Sequence, residues 1–386
     1  MSPDNLKDLN VAIVHYWLVT WRGGEKVIAS LLKMFPKADI YTLFYDQTEC
    51  GKYVKGHQVF SSSLDKPLIR KNYQKLFPLY PYGIKSLKLK KKYDLIISSE
   101  SGPAKGITID SPTPHLCYIH TPMRYCWGYM EPYLQSLPAW SRPFARKAFN
   151  KLAQWDLTTV DNADLYVANS NNVAKRVERF YKKKAEVCHP PISLDLLNQP
   201  LNKQTEKNHY LSFGAITPYK NIDLLVDLFN QTGKPLVVIG EGSEKKKLEL
   251  KAKSNIRFTG SLPWNEINRL ILQSRALIFP GEEDFGIIPL EVMSQGVPVI
   301  ALKKGGALET VVENRENVET SSGIFFDEPE VESLSKAIDD FERLESQFDP
   351  QWIRQQVTRF GEDRFQREMT AYIHRLLEDW KAKVAN

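Results

Sequence analysis

Between Ala276 and Ile300 the chain reads Ala-Leu-Ile-Phe-Pro-Gly-Glu-Glu-Asp-Phe-Gly-Ile-Ile-Pro-Leu-Glu-Val-Met-Ser-Gln-Gly-Val-Pro-Val-Ile. The apolar run Ala276 to Phe279 has the length and composition of a buried strand. Pro280 and Gly281 end it. Three acids follow, Glu282, Glu283 and Asp284, and then Phe285 and Gly286. A helical pattern carries Ile287, Ile288, Leu290 and Glu291 in its first turns. Gly296 and Pro298 stop it, and a second strand runs from Val297 to Leu302. This strand–loop–helix–strand unit places acids at the carboxyl end of a strand, where open α/β sheets bind ligands.

Seven residues separate Glu283 from Glu291. The first falls in the loop and the second one to two turns into the helix, so both are able to face one ligand. Free N–H groups at the helix start, near Gly286, Ile287 and Ile288, suit an anion such as a diphosphate. A carboxylate beside such a site accepts hydrogen bonds from hydroxyls and repels phosphate. Phosphates at the helix end and hydroxyls on the two glutamates describe a sugar nucleotide. An acidic loop that only caps a helix fits the same pattern, and spacing alone leaves both open.

The stretch resembles the E-x(7)-E region of retaining glycosyltransferases of family four, which have the GT-B fold. The resemblance rests on Glu283, Phe285, Gly286, Pro289, Glu291, Gly296, Pro298 and Val299. It implies that Glu283 contacts the donor sugar, that Glu291 binds the nucleotide ribose, and that Phe285, Gly286, Ile287 and Ile288 line the donor site.

Residues elsewhere extend it. A strand over Asn10 to Tyr16 leads into Trp17-Leu-Val-Thr-Trp-Arg-Gly-Gly-Glu-Lys-Val27, with a helical pattern from Glu25 to Met34. Gly23 and Gly24 read as a turn that admits phosphate or sugar, or simply as a tight turn. The pattern is not G-x-G-x-x-G, which argues against a nicotinamide site. A short strand ends in His120-Thr-Pro-Met-Arg-Tyr-Cys-Trp127. Both words are similar to those of a bacterial mannosyltransferase subgroup of surface polysaccharide assembly. That similarity implies that Gly23 and Gly24 face the donor and that His120 contacts the donor sugar.

In the second half, a strand from His209 to Phe213 precedes Gly214-Ala-Ile-Thr-Pro-Tyr-Lys-Asn221. Asn221 is placed to cap the next helix, and Lys220 is placed to reach a diphosphate as a point charge. The family implies a lysine and an arginine here. The lysine is present, and Ala215 stands where the arginine belongs. Arg22 and Arg124 are the candidate replacements. Glu241, in the loop Gly240-Glu-Gly-Ser after the next strand, joins the expected donor site.

Strands are further expected near Ile40 to Phe44, Gln58 to Ser61, Asp94 to Ser98, Asp164 to Ala168, Ala185 to Cys188, Leu236 to Ile239, Ile256 to Thr259 and Gly323 to Phe326. Helical patterns alternate with them, including one from Trp140 to Asn162 that is basic and aromatic at its start. The alternation implies parallel sheets with crossover helices. The polar stretch 193–208 reads as a linker, giving domains over 1–195 and 205–350. The GT-B resemblance implies two Rossmann-like domains facing a cleft, with helices over 351–386 returning to the first.

The chain has 386 residues, enough for two ordinary domains. Cys50, Cys117, Cys126 and Cys188 lack paired spacing and read as reduced thiols in a cytoplasmic protein. The first ten residues lack a signal-peptide core, and no apolar run approaches the ~18 residues that span a bilayer. There is no Asp-x-Asp and no metal-ligand spacing, so neither a metal nor another cofactor is expected. Of a net charge of +6, the stretch from Lys66 to Lys92 holds nine Lys or Arg and no acid, with Tyr73, Phe77, Tyr80 and Tyr82 interleaved. A solvated helix face or an anionic membrane surface fits it. No nucleic-acid module is evident.

The family resemblance implies a retaining hexosyltransferase, and the missing Asp-x-Asp makes it metal-independent. It would take mannose from GDP-mannose, with His120, Lys220 and Glu283 central to the chemistry. The acceptor would be a glycan or a polyprenyl-diphosphate-linked glycan at the inner membrane face. The alternatives are a transferase using a UDP-hexose, or a catalytically weak nucleotide-sugar-binding subunit of a polysaccharide assembly complex.

Overall fold

The computed structural model describes residues 3–21, 23–135, 137–193, 197 and 206–385. The chain divides into two compact units, Met1–Pro191 with Glu362–Asn386, and Ile192–Gly361. The second unit takes up the chain at Ile192. Residues 194–196 and 198–205 of the expected linker lie outside the described residues. Residues 351 to 361, expected to return to the first domain, belong to the second unit.

Among the described residues the first unit holds seven strands: β1 (Val11–His15), β2 (Asp39–Thr42), β3 (Val59–Ser61), β4 (Leu95–Glu100), β5 (His115–Ile119), β6 (Leu165–Ala168) and β7 (Ala185–Val187). They form one sheet in the order β3-β2-β1-β4-β5-β6-β7, and every pairing is parallel. Helices cover both faces of such a sheet, and the central strands read as nearly continuous apolar runs. Accordingly β1, β4 and β5 are buried along their whole length.

Glu362–Ala385 is one helix of 24 residues. Its buried residues Phe365, Met369, Ile373 and Leu376 recur at helical spacing and share a core with Val27, Ile28 and Leu31 of the helix Gly23–Met34. Lys33 to Glu362 at 2.6 Å and Arg364 to the His189 carbonyl at 2.8 Å fix its first turns.

The second unit repeats the plan with β8 (His209–Phe213), β9 (Leu236–Ile239), β10 (Ile256–Gly260), β11 (Ser274–Phe279), β12 (Val299–Leu302) and β13 (Gly323–Phe326). Their order is β10-β9-β8-β11-β12-β13, again all parallel. The helix Pro350–Val357, capped by Asp349, buries Ile353 and Val357 in this unit's core.

Three local expectations change. Gly23 and Gly24 are not a turn before the helix but its first two residues. Asn221 sits at the start of the helix Ile222–Thr232 with φ 53° and makes no side-chain cap. The basic stretch is not one helix face. It forms the short helices Pro67–Arg70 and Tyr80–Ser86 around a 3-10 turn, Tyr73–Leu79. Pro67, Pro78 and Gly83 punctuate it. All four cysteines are free and buried.

Candidate active site

Each sheet has one point where the strand order reverses, and crevices open there in doubly wound folds. In the second unit that point lies between β8 and β11. The two chain segments that leave it are 214–221 and 280–286, the two loops singled out from sequence. Lys220, at the end of a 3-10 turn, forms an ion pair with Glu283. Asn221 Nδ2 donates to the Pro280 carbonyl at 3.0 Å. Its side chain therefore ties the two loops together, which is why it does not cap the helix. A pocket at this point is lined by Gly214, Ala215, Lys220, Phe279, Pro280 and Gly281. Ala215 is exposed there, and Lys220 is the one basic residue between Gly214 and Asn221.

The acidic loop is braced from behind by a pair of glycines. The Gly306 amide donates to the Glu283 carbonyl at 2.8 Å. A Cβ on Gly306 would stand 2.3 Å from the Phe285 backbone, so no other residue fits without moving that loop. Sequence reasoning did not assign Gly305 and Gly306 a role; a glycine pair just after a strand was the signal. Gly286 has φ 87°, the left-handed region that glycine enters without strain. It turns the chain into the helix Ile287–Met293.

Glu291 is half-buried on that short helix, while Phe285 is buried with its ring centroid 5.5 Å from that of Phe360. The Phe285 ring is therefore packed into the core of the second unit. Ile287 and Ile288 are half-buried and pack on the unit's core. Glu241 is exposed, pairs with Lys245 at 2.8 Å, and its carbonyl accepts from Ile216 in the neighbouring loop at 2.9 Å.

In the first unit the reversal lies between β1 and β4. Ser99 pairs in register with His15 on one side and Tyr118 on the other. Its hydroxyl lies 2.8 Å from His120 Nε2. His15 Nδ1 lies 3.3 Å from the Ser99 carbonyl, and His15 Nε2 lies 3.8 Å from Glu25. A Cβ on Gly24 would come within 3.7 Å of His120 Nε2, so Gly24 and His120 are neighbours. Burial, with His15 adding to it and Glu25 opposing it, pushes the His120 imidazole down to about 3. It is neutral at physiological pH, suited to hydrogen bonding with hydroxyls. Ser99, His15 and Glu25 were not identified from sequence, because their meeting depends on strand register.

The His120 segment is anchored by a buried charge cluster. Lys105, fully buried, pairs with Asp156 and lies 3.3 Å from Glu100. Tyr181 donates to Asp156 at 2.8 Å and Trp127 Nε1 at 2.7 Å. Burial works against a charged Lys105, but Asp156 and Glu100 outweigh it and raise its pKa. Burial also holds Glu100 above the usual carboxylate range, Lys105 opposing and Asp156 assisting. The Glu100 carbonyl accepts from the His120 amide at 2.7 Å. The cluster thus holds both ends of the segment 120–127.

Arg22 lies outside the described residues. Arg124 is half-buried with its guanidinium 5.0 Å from the Tyr129 ring centroid. Among the described residues no group of His, Cys, Asp and Glu is placed to hold a metal ion, and no helix is long and apolar enough to cross a membrane.

Residues 21–196 match Glycosyltransferase Family 4, and residues 195–358 match Glycosyl transferases group 1. An uncharacterized glycosyltransferase of Methanocaldococcus jannaschii is 27% identical over 39% of this chain, which spans 44% of that relative's length. The alpha-1,3/1,6-mannosyltransferase ALG2 of Candida glabrata is 26% identical over 82% of this chain and 81% of its own. Among solved structures, Anabaena Alr3699/HepE in complex with UDP-glucose superposes with a TM-score of 0.68 at 15% identity, covering 95% of this chain and 99% of that one. At that identity the likeness is one of fold. The chain is a glycosyltransferase of the GT-B fold, with a family 4 amino-terminal half and a group 1 carboxy-terminal half.

Proposed function

We propose that this glycosyltransferase moves mannose from GDP-mannose, with retention of configuration, to a glycan or polyprenyl-diphosphate-linked acceptor in polysaccharide synthesis. The observation that carries the proposal is the Lys220–Glu283 pair at the strand-order reversal of the second unit. It sets a cation for phosphate beside a carboxylate for hydroxyls. The barrier to transfer is departure of the nucleoside diphosphate. Lys220 and the amides near Gly286 stabilise its growing negative charge, and preorganised donors of this kind give the largest catalytic terms. Glu291 accepts from the ribose hydroxyls. Glu283 holds hydroxyls of the sugar. The leaving phosphate takes the acceptor's proton on the same face, and no metal takes part.

Mannose is favoured by the words Arg-Gly-Gly-Glu-Lys-Val and His-Thr-Pro-Met-Arg-Tyr and by similarity to proteins named as mannosyltransferases. Ala215 favours a second reading, a transferase using a UDP-hexose or a weakly active binding subunit. The protein works in the cytoplasm at the inner membrane face, docked through residues 66–92.

The test is transfer of labelled mannose from GDP-mannose to a bacterial lipid-linked glycan extract in excess chelator, with the product anomer read by NMR. The proposal predicts an α-mannoside without added metal. Transfer from a UDP-hexose alone supports the second reading, and a β-mannoside contradicts retention.

A further inference from the structure

The basic stretch presents less apolar surface than its sequence suggests. Tyr80 is buried, Tyr73 packs on Trp17 at 4.8 Å between centroids, and Phe77 stacks on Phe149 at 4.7 Å. Of the four aromatics only Tyr82 is exposed. Arg70 and Lys91 pair with Asp65 and Asp39. What remains exposed is charge, on Lys66, Lys71, Lys75, Lys85, Lys88, Lys90 and Lys92, beside the apolar side chains of Leu68, Ile69 and Leu79.

The largest exposed aromatic surface lies on the element that this stretch packs against. Helix Arg142–Thr158 buries Phe149, Leu152 and Asp156 on one side. Away from that side stand Trp140, just before the helix and 77% exposed, and Phe144, 74% exposed. Lys147 and Lys151 are exposed as well. The four follow the spacing i, i+4, i+7 and i+11, which makes one stripe along a helix. Two aromatics leave water only for something apolar. Lysines beside them keep their charges at a polar, anionic boundary.

We infer that Trp140 and Phe144 form a wedge that enters the headgroup boundary of an anionic bilayer, with Lys147 and Lys151 on the lipid phosphates. The wedge adds two exposed aromatics to the apolar surface that Leu68, Leu79 and Tyr82 offer within residues 66–92, and the lysines of that stretch supply long-range attraction. The inference deepens the proposed membrane docking and rests on it for the electrostatic part. The ring contact between Phe77 and Phe149 makes the two segments one packed body, so both work on the same surface.

The test is co-sedimentation of the full chain with vesicles of phosphatidylglycerol and phosphatidylcholine, or of phosphatidylcholine alone. The Trp140→Ser/Phe144→Ser variant should keep its melting temperature and lose at least tenfold in partitioning to the anionic vesicles. In a second measurement, lipids brominated near the headgroup should quench the fluorescence of the wild type more than that of Trp140→Phe. Equal partitioning of the double variant, or equal quenching, overturns the wedge. So does a dimer in sedimentation velocity that the double variant abolishes, because the stripe would then contact a second copy. Replacement of Lys88, Lys90, Lys91 and Lys92 by Gln separates the two ideas. If only that variant loses binding, the wedge falls and docking through 66–92 stands. If only the aromatic variant loses it, docking through 66–92 falls and the wedge stands.

Discussion

Lys220 and Glu283 form an ion pair across two loops that leave neighbouring parallel strands on either side of the point where strand order reverses. Neither side chain is fully exposed, at 14% and 18% of its surface. The pair is therefore placed by the fold and is not a chance surface contact. Lys220→Gln should lower turnover by about 100- to 1,000-fold, the cost of one donor to a developing anion. Stopped assays alongside a melting curve check this; a melting temperature that falls with activity would make Lys220 structural.

Glu283 and Glu291 should separate by ligand. Glu291→Gln should weaken the free nucleoside diphosphate by about 1–3 kcal/mol, as for a lost hydrogen bond to a charged group. Glu283→Gln should leave the free diphosphate nearly unchanged and weaken only the sugar nucleotide. Titration calorimetry with both ligands reads the difference. Equal loss for both ligands in both variants would remove the assignment.

The buried cluster gives a stability prediction. Lys105→Met leaves Glu100 and Asp156 without their cation, and breaking a buried pair costs about 3–5 kcal/mol. Adding Asp156→Asn removes one charge while keeping an acceptor for Trp127 and Tyr181. The double variant should recover part of the loss in urea unfolding. No recovery would show that the charges do not interact.

A pH prediction follows from the histidines. Burial pushes His115 down to about 4 and His120 to about 3, against about 6.5 in an unfolded chain. The unfolded state then binds more protons, so their contribution is full above pH ~6.5 and is lost as pH falls toward these values. Glu100, held above its usual range, runs the other way, so the difference between proteins is the clean readout. Stability of His115→Asn should fall less steeply between pH 7 and 5 than that of the wild type, by at most about 1.4 kcal/mol per pH unit. Parallel curves would contradict a neutral buried His115.

Much of this was legible in the sequence because apolar runs such as Leu236–Ile239 and Gly323–Phe326 are continuous and bounded by glycine or polar loops. The loops after β8 and β11 were legible for the same reason, and they carry Lys220 and Glu283. Contacts that depend on register were hidden: Ser99 reaches His120 only because β4 and β5 pair as they do. So were side-chain directions. Asn221 looked like a cap and instead bonds Pro280. That the Phe285 ring packs into the core was not legible from the sequence either. The aromatics of 66–92 alternate with bases in sequence, but short turns rather than a helix decide which of them face water.

The most direct test of a nucleotide-sugar site at the Lys220–Glu283 pair is a calorimetric panel of GDP-mannose, UDP-glucose and NAD against the wild type and Glu291→Gln. The account predicts saturable binding of GDP-mannose that is weakened in Glu291→Gln by about 1–3 kcal/mol, with no binding of NAD. Binding of NAD alone, or GDP-mannose binding that Glu291→Gln leaves untouched, would contradict it.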